Sequence, residues 1–213
     1  MAAATERVRG RSEGPLRISV LPSFARRWLL PRLPAFRVKH TDVDLRVTSS
    51  IQLWSGDDTF DIGIRSGLGR WPGVKADLIS REFLSPVCSP ALAVGPPALT
   101  RPEDLKHVPL LHDQPRMAWQ QWCQHAEVML DLSQGGVFND AALVLQAAID
   151  GQGVALGRLM LAANDLRTGR LVRLFDHTLP NDYSYWIVYA RSSAQRPEVA
   201  AFRSWLLEEA RQG

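Results

Sequence analysis

The chain has 213 residues, of which 46% are hydrophobic and 22% charged, with a formal net charge of +3 and a pI of about 9.2. This composition is that of a globular protein with room for one large domain or two small lobes, and the charge is too small to indicate nucleic-acid binding. The sequence predicts a cytoplasmic protein without disulfides or membrane contact. Its two cysteines are far apart, no apolar run is long enough to span a membrane, and the polar N-terminus lacks a signal-peptide core.

The first part of the chain is predicted to be a polar tail followed by a strand and a helix. Residues 1–14 are interpreted as a tail or the remnant of a linker. Alternating apolar residues predict a strand over residues 16–20. Ser23 is the candidate N-cap of a helix whose apolar residues recur at helical spacing. Because Pro31 and Pro34 fall inside this pattern, we expect either one kinked helix or two short ones.

Two further strands are predicted, and each ends in polar side chains. The second strand is predicted over residues 42–50 and the third over residues 60–65, since apolar residues alternate in both. A glycine-rich loop follows, but no helical pattern comes after it, so it is not a dinucleotide-binding fingerprint. The residues at the two strand ends are Thr48, Ser49, Arg65 and Ser66.

The second half of the chain contains a strand–helix–strand unit. Asn139 and Asp140 are predicted to cap an apolar helix that Gly151 ends, and a buried strand follows over residues 154–156. This unit predicts a sheet that is parallel in part. Residues 83–88 are a short apolar segment, and a short helix is predicted to start at residues 100–103. The other predicted elements are strands over residues 108–111, 137–138, 171–175 and 185–190 and helices over residues 117–129, 158–163 and 199–210.

The sequence contains no motif that indicates catalysis, a metal or a cofactor. The five histidines are scattered, and no Cys-x-x-Cys pair or His-Glu-x-x-His pattern is present. A Gly-x-Ser-x-Gly elbow and a phosphate-binding glycine loop are also absent. His112 and Asp113 are adjacent, but a polar pair at a loop edge is the favoured interpretation. We therefore expect a protein that is not an enzyme.

Polar residues at strand ends and helix starts form the one pattern that indicates a binding site. Each of them alone is typical of a cap or a turn. Together they are typical of a cleft at the carboxyl edges of parallel strands, where open α/β sheets bind ligands. The residues are Ser23, Thr48, Ser49, Arg65, Ser66, Asn139 and Asp140.

Several stretches resemble the effector-binding domain of LysR-type transcriptional regulators. They are LRISVLPSFARRWLLPRLPAF, DLRVTSS, FDIGIRSGLGRWPG, FLSPVCSPAL, LTRPEDLKHVPLL and FNDAALVLQAAIDGQGVALGR. The resemblance covers about residues 15–211, and it is most specific to the branch with the glycine-cleavage and β-lactamase-inducer regulators. It implies an α/β, two-lobed fold like that of the type 2 periplasmic binding proteins, with two crossover strands near residues 86–89 and 187–189.

The resemblance also implies how the chain is divided and where the effector binds. Lobe I is expected to hold residues 15–87 and 189–213, and lobe II residues 88–188. A small effector is expected between the lobes, and Asp140 would repel an anionic ligand unless Arg65 compensates or the ligand is amphoteric. The implied contacts are Ser23, Phe24, Thr48, Ser49, Arg65, Ser66, Asn139, Asp140 and Tyr185.

The resemblance finally implies the partners of the chain. It predicts an antiparallel homodimer, a tetramer in the full-length regulator, and DNA contact only through an N-terminal domain that this sequence lacks. No cofactor is expected. The alternative from another class is the solute-binding protein of a transport system, which the missing signal peptide disfavours; an enzyme on the same fold is disfavoured by the lack of catalytic motifs.

Overall fold

The structure is a computed structural model that describes residues 14–52, 60–114 and 117–212. The polar tail predicted for residues 1–14 lies outside the described residues, apart from Gly14. The strands are β1 (Leu16–Val20), β2 (Leu45–Ser49), β3 (Ile62–Gly67), β4 (Val74–Cys88), β5 (Leu110–Asp113), β6 (Val137–Phe138), β7 (Val154–Arg158), β8 (Val172–Arg173) and β9 (Leu179–Ala190).

Seven α-helices and three other helical segments surround these strands in the described part of the chain. The α-helices are α1 (Pro22–Phe24), α2 (Leu30–Lys39), α3 (Pro90–Val94), α4 (Met117–His125), α5 (Ala141–Ile149), α6 (Leu159–Arg167) and α7 (Pro197–Gln212). A π-helix (Ala25–Leu29) joins α1 to α2, and 3-10 helices span Pro102–His107 and Ser193–Gln195.

Two parallel units are joined by a pair of long antiparallel strands. In lobe I, β1 lies between β2 and β3 and is parallel to both. In lobe II, β5 lies between β6 and β7 and is parallel to both. β4 and β9 pair antiparallel with each other, and the strand order is β2-β1-β3-β9-β4-β7-β5-β6. The predicted α/β class with a partly parallel sheet is confirmed.

The long strands change partners at the boundary between the units. β4 pairs with β9 from Val74 to Leu84 and with β7 from Leu84 onward. β9 pairs with β3 from Ser184 to Tyr189. Both changes come a few residues earlier in the chain than the crossovers that the resemblance implied. The register of β4 against β9 is also irregular between Leu78 and Glu82, where the strands pass from one unit to the other.

The first helical region differs from the prediction in two respects. Its N-cap is Leu21, which makes no side-chain cap bond, while Pro22 occupies the start of the helix and Ser23 lies inside the first turn. The expected capping role of Ser23 is therefore wrong, because Pro22 suits the first helical position and the N-cap lies two residues earlier, at Leu21. The prolines do not break the helix: a π-turn, in which Leu30 N donates to Ala25 O, precedes Pro31, and α2 continues through Pro34.

Two apolar cores hold these layers together. The larger one packs β1, β3 and α7 against the π-helix and extends without a break to α5 and α6 of lobe II. Apolar burial across the two lobes therefore stabilises their contact. The smaller core lies within lobe II and is built around the buried Trp119 and Trp122, whose ring centroids are 5.6 Å apart. Cys88 and Cys123 are free and buried.

Candidate functional site

A hydrogen bond joins the first turn of α1 to the start of α5 across the cleft between the lobes. Ser23 Oγ donates to Asp140 Oδ1 over 3.0 Å. Asp140 is the N-cap of α5, as predicted, and the same oxygen accepts from Ala142 N at 2.7 Å. The positive end of the α5 dipole stabilises this carboxylate. Ser23 is thus oriented by lobe II although its backbone belongs to lobe I.

Tyr185 lies beside this contact and is 3% exposed. The Tyr185 ring packs against the Phe24 ring, with centroids 4.9 Å apart. In the antiparallel pairing of β9 with β3, Tyr185 lies opposite Ser66. Burial raises the pKa of the tyrosine, so the hydroxyl is neutral and can both donate and accept a hydrogen bond. The structure therefore brings Ser23, Phe24, Ser66, Asp140 and Tyr185 to one end of the cleft.

Charged side chains surround the Tyr185 hydroxyl. Its electrostatic neighbours are Arg158, Glu82, Asp113 and Asp140. Arg158 is the last residue of β7, and its Nη2 lies 3.4 Å from Asp113 Oδ2 at the end of β5. Burial raises the pKa of Asp113 by more than Arg158 lowers it. The cluster thus holds one guanidinium and three carboxyl groups.

Glu82 reaches this cluster from the long strand β4. The side chain is 2% exposed, and its Oε1 accepts from Phe83 N at 3.0 Å and from Met160 N, at the start of α6, at 3.3 Å. Burial is the largest cause that raises its pKa to about 7, against the lowering effects of these amides and of Arg158. Glu82 therefore changes its protonation state near neutral pH.

Arg65 is engaged elsewhere. Its guanidinium is 3% exposed and donates to Ser19 O at 3.0 Å, Ser19 Oγ at 2.6 Å and Ile64 O at 3.0 Å. Burial lowers its pKa, and no carboxylate contributes to the shift. These bonds hold β3 to β1, so the structure does not bring the Arg65 guanidinium to Asp140. The charge that faces the cluster is that of Arg158.

The other predicted contacts lie at the rim. Thr48 and Ser49 end β2 and are exposed, and Asn139 is exposed next to the α5 cap. Ser49 is in register with Val20, directly before the turn into α1, which places the end of β2 next to that turn. These hydroxyl and amide groups could make polar contacts at the mouth of the cleft.

Sequence reasoning did not select Glu82, Asp113 or Arg158 as site residues, although it noted Asp113 beside His112. Asp113 and Arg158 each end a parallel strand, so the strand-end rule that selected Thr48 and Arg65 could have found both. The position of Glu82 gave no such signal, because it lies inside β4, in a part of the strand that the sequence pattern did not predict.

A second polar contact joins the lobes at the π-helix. Arg27 Nη1 in the π-helix donates to Asp165 Oδ2 of α6 at 2.5 Å, and Nη2 donates to Ala142 O of α5 at 3.0 Å. The Asp165 carboxylate is 1% exposed and also pairs with Arg170. Buried ion pairs of this kind fix geometry, because removing one partner leaves an uncompensated charge. Arg27 therefore fixes lobe I against two helices of lobe II.

Neither a metal centre nor a membrane span is found in the part of the chain that the structure describes. No group of three or more His, Cys, Asp or Glu residues within residues 14–52, 60–114 and 117–212 is arranged to hold a metal ion. None of the helices there is both long and apolar enough to cross a bilayer.

Two α/β lobes, two connecting strands and polar contacts between the lobes are the arrangement of a ligand-binding regulatory domain. The family model described as LysR substrate binding domain matches residues 9–211. The chain is 39% identical over 213 residues to the glycine cleavage system transcriptional activator of Escherichia coli (strain K12), covering 99% of this chain and 70% of that protein.

Solved structures agree with the family match. The effector domain of the regulator AmpR of Pseudomonas aeruginosa is 31% identical, with a TM-score of 0.80 over 93% of this chain and 96% of that one. The AmpR effector binding domain from Citrobacter freundii is 27% identical, with a TM-score of 0.81 over 94% of this chain and 100% of that one. The chain therefore belongs to the LysR substrate-binding domain family.

The family assignment settles the class of function. The chain is the effector-sensing regulatory domain of a LysR-type transcriptional regulator and is not an enzyme. The relatives are regulators of transcription, which favours this function over the transport alternative. The two-lobed, periplasmic-binding-protein-like fold predicted from the resemblance is confirmed.

Proposed function

We propose that the effector of this domain binds between the lobes at the contact of Ser23, Asp140 and Tyr185. The observation that carries the proposal is the hydrogen bond of 3.0 Å that crosses the cleft from Ser23 to Asp140. A ligand that inserts here replaces this bond with its own polar groups and so changes how the lobes meet. Closure of two lobes around a ligand is a known switching mode.

The remaining predicted residues have supporting tasks in this proposal. Phe24 and Ser66 form the wall beside Tyr185, while Thr48, Ser49 and Asn139 contact the effector at the rim. Arg65 acts indirectly by holding β3 to β1, since its hydrogen bonds go to Ser19.

The division into lobes follows the boundaries that the resemblance implies. Lobe I comprises residues 15–87 and 189–213, and lobe II comprises residues 88–188. The strand pairing supports these boundaries to within a few residues, because β4 joins β7 at Leu84 and β9 joins β3 at Ser184.

We also propose that two copies pair antiparallel and that the full-length regulator is a tetramer in the cytoplasm. Leu30 and Val38 in α2 support a partner surface, since they are 51% and 79% exposed. DNA recognition then resides in the part of the regulator outside the present chain. Sedimentation of the wild type and of Val38→Glu tests the pairing: a dimer that the variant converts to a monomer supports it.

A thermal-shift screen with amino acids, small carboxylates and cell-wall fragments tests the effector site. A ligand at 100 times its dissociation constant stabilises the folded protein by about 2.7 kcal/mol. Ser23→Glu should abolish the shift, because it puts a second carboxylate against Asp140. Ser204→Glu, at an exposed position of α7, is the matched control. A shift retained in Ser23→Glu removes this site from consideration.

A further inference from the structure

Among the buried side-chain atoms without a hydrogen-bond partner in the described residues, two of opposite character belong to the cluster around Tyr185. Glu82 Oε1 is bonded to two backbone amides, but Oε2 is buried and accepts no hydrogen bond from any described residue. Arg158 Nη2 faces Asp113, but Nη1 is buried and donates to no described residue. Leaving such atoms unsatisfied costs folding free energy, and a ligand that pairs with them would recover it.

The two orphan groups belong to one cluster but do not satisfy each other. Both are electrostatic neighbours of the Tyr185 hydroxyl, and each contributes to the other's pKa. Even so, no ion pair or hydrogen bond joins Glu82 to Arg158, and the guanidinium pairs with Asp113 instead. A molecule that complements both must carry a donor for the carboxylate and an acceptor for the guanidinium.

The charges around the orphan atoms restrict the ligand further. Around the Tyr185 hydroxyl, the acidic groups Glu82, Asp113 and Asp140 face the cation Arg158, and Asp140 also interacts with Arg27. A simple anion would bind Arg158 but would meet three carboxyl groups. A simple amine would satisfy Glu82 but would leave Arg158 Nη1 without a partner. A ligand with an ammonium group and a carboxylate complements both ends.

The walls of the cleft restrict the size of the ligand. Ser23 Oγ touches Asp140 Oδ1 directly, and the Phe24 and Tyr185 rings are in contact. We propose that the cleft binds a small α-amino acid, whose carboxylate accepts from Arg158 Nη1 and whose ammonium donates to Glu82 Oε2. This proposal rests on the inter-lobe effector site proposed above and names the class of its ligand.

Calorimetric titration of the 213-residue protein with the standard amino acids tests the ligand class. Each amino acid that binds is compared with its amide, which keeps only the ammonium, and with its N-acetyl derivative, which keeps only the carboxylate. We expect both derivatives to bind about tenfold or more weakly than the parent, since each loses one charge-assisted bond.

Two substitutions assign the ends of the ligand. In Arg158→Gln the affinity gap between the amino acid and its amide should collapse, while the gap to the N-acetyl derivative persists. In Glu82→Gln the affinity gap between the amino acid and its N-acetyl derivative should collapse, while the gap to the amide persists. Arg173→Gln and Glu103→Gln are the matched controls, because both side chains are exposed in lobe II away from the cluster. Circular dichroism and melting temperature establish that each variant is folded, and Arg158→Lys supplies a second variant that keeps the charge.

The outcomes separate this inference from the function it rests on. The ligand class would be overturned by any of three results. These are equal affinities for the parent and either derivative, affinity gaps that neither substitution changes, and no binding by any amino acid. If another class of compound binds and Ser23→Glu abolishes its binding, the inter-lobe effector site stands and the amino acid does not. If amino acids bind with the expected gaps but Ser23→Glu does not weaken them, the Ser23 site is wrong while the ligand class stands.

Discussion

The stability of this domain should depend on pH through Glu82. The carboxyl is 2% exposed on the strand that links the lobes, and burial raises its pKa from 4.5 to about 7. In the unfolded chain the group is hydrated and has its ordinary pKa. The folded protein therefore takes up a proton at Glu82 at pH values where the unfolded chain does not.

The sign and the size of the effect follow from this difference. The stability contributed by the protonated carboxyl is fully present below about pH 4.5 and is lost as the pH rises through about 7. At about 1.36 kcal/mol per pKa unit, the whole shift corresponds to about 3 kcal/mol. This is a large share of the free energy of unfolding of a typical domain.

Urea unfolding of the wild type and of Glu82→Gln at pH 5 and pH 8 measures this contribution. The glutamine keeps the shape and can still accept from Met160 N, but it does not titrate. The unfolding free energy of the wild type should fall by about 2 to 3 kcal/mol more than that of the variant between these pH values. Glu103→Gln, at an exposed position, should run parallel to the wild type. Parallel profiles for the wild type and Glu82→Gln would refute a buried, proton-binding Glu82.

Three further predictions concern packing and reactivity. Gly135→Ala should destabilise the fold by about 2 kcal/mol more than Gly169→Ala. A Cβ at position 135 would lie 1.9 Å from the backbone oxygen of Leu110 in β5, whereas a Cβ at position 169 meets open space. Equal urea midpoints for the two variants would contradict this. Trp122→Ala should cost about 3 to 5 kcal/mol by chemical denaturation, since the fully buried indole fills the lobe II core, and a loss under 1 kcal/mol would mean that the core collapses around it. Burial raises the pKa of Cys88 to about 11, so a disulfide reagent should label it only at the rate of unfolding, and rapid labelling of the native protein would contradict its burial.

Local signals predicted much of the fold. The alternation of apolar residues located β1 and β3, and the sequence around Asp140 and Gly151 located both ends of α5, where Gly151 has the positive φ of 75° expected after a helix. These signals act within a few residues, so they are readable without the tertiary structure. The N-cap of α1 was mispredicted because Pro22 and Ser23 are both typical of a helix start, and the prediction assigned the N-cap to Ser23.

Non-local pairing explains what the sequence did not predict. The first half of β4, from Val74 to Glu82, is only partly buried and reads as a continuation of the glycine-rich loop. It becomes a strand because β9, about 100 residues later, pairs with it. Since Glu82 depends on this pairing for its burial, neither its altered pKa nor its place in the cleft could be predicted from neighbouring residues.

The position of Glu82 connects ligand binding to the arrangement of the lobes. Its Oε1 accepts from Met160 N at the start of α6, and Asp165 in the same helix binds Arg27 of lobe I. An ammonium group at Oε2 would change the charge state of Glu82, which joins the start of α6 to β4. A ligand shifts a two-state equilibrium only through its preference for one state. The contact with Glu82 supplies such a preference, because it is made to the part of β4 whose pairing passes from one lobe to the other.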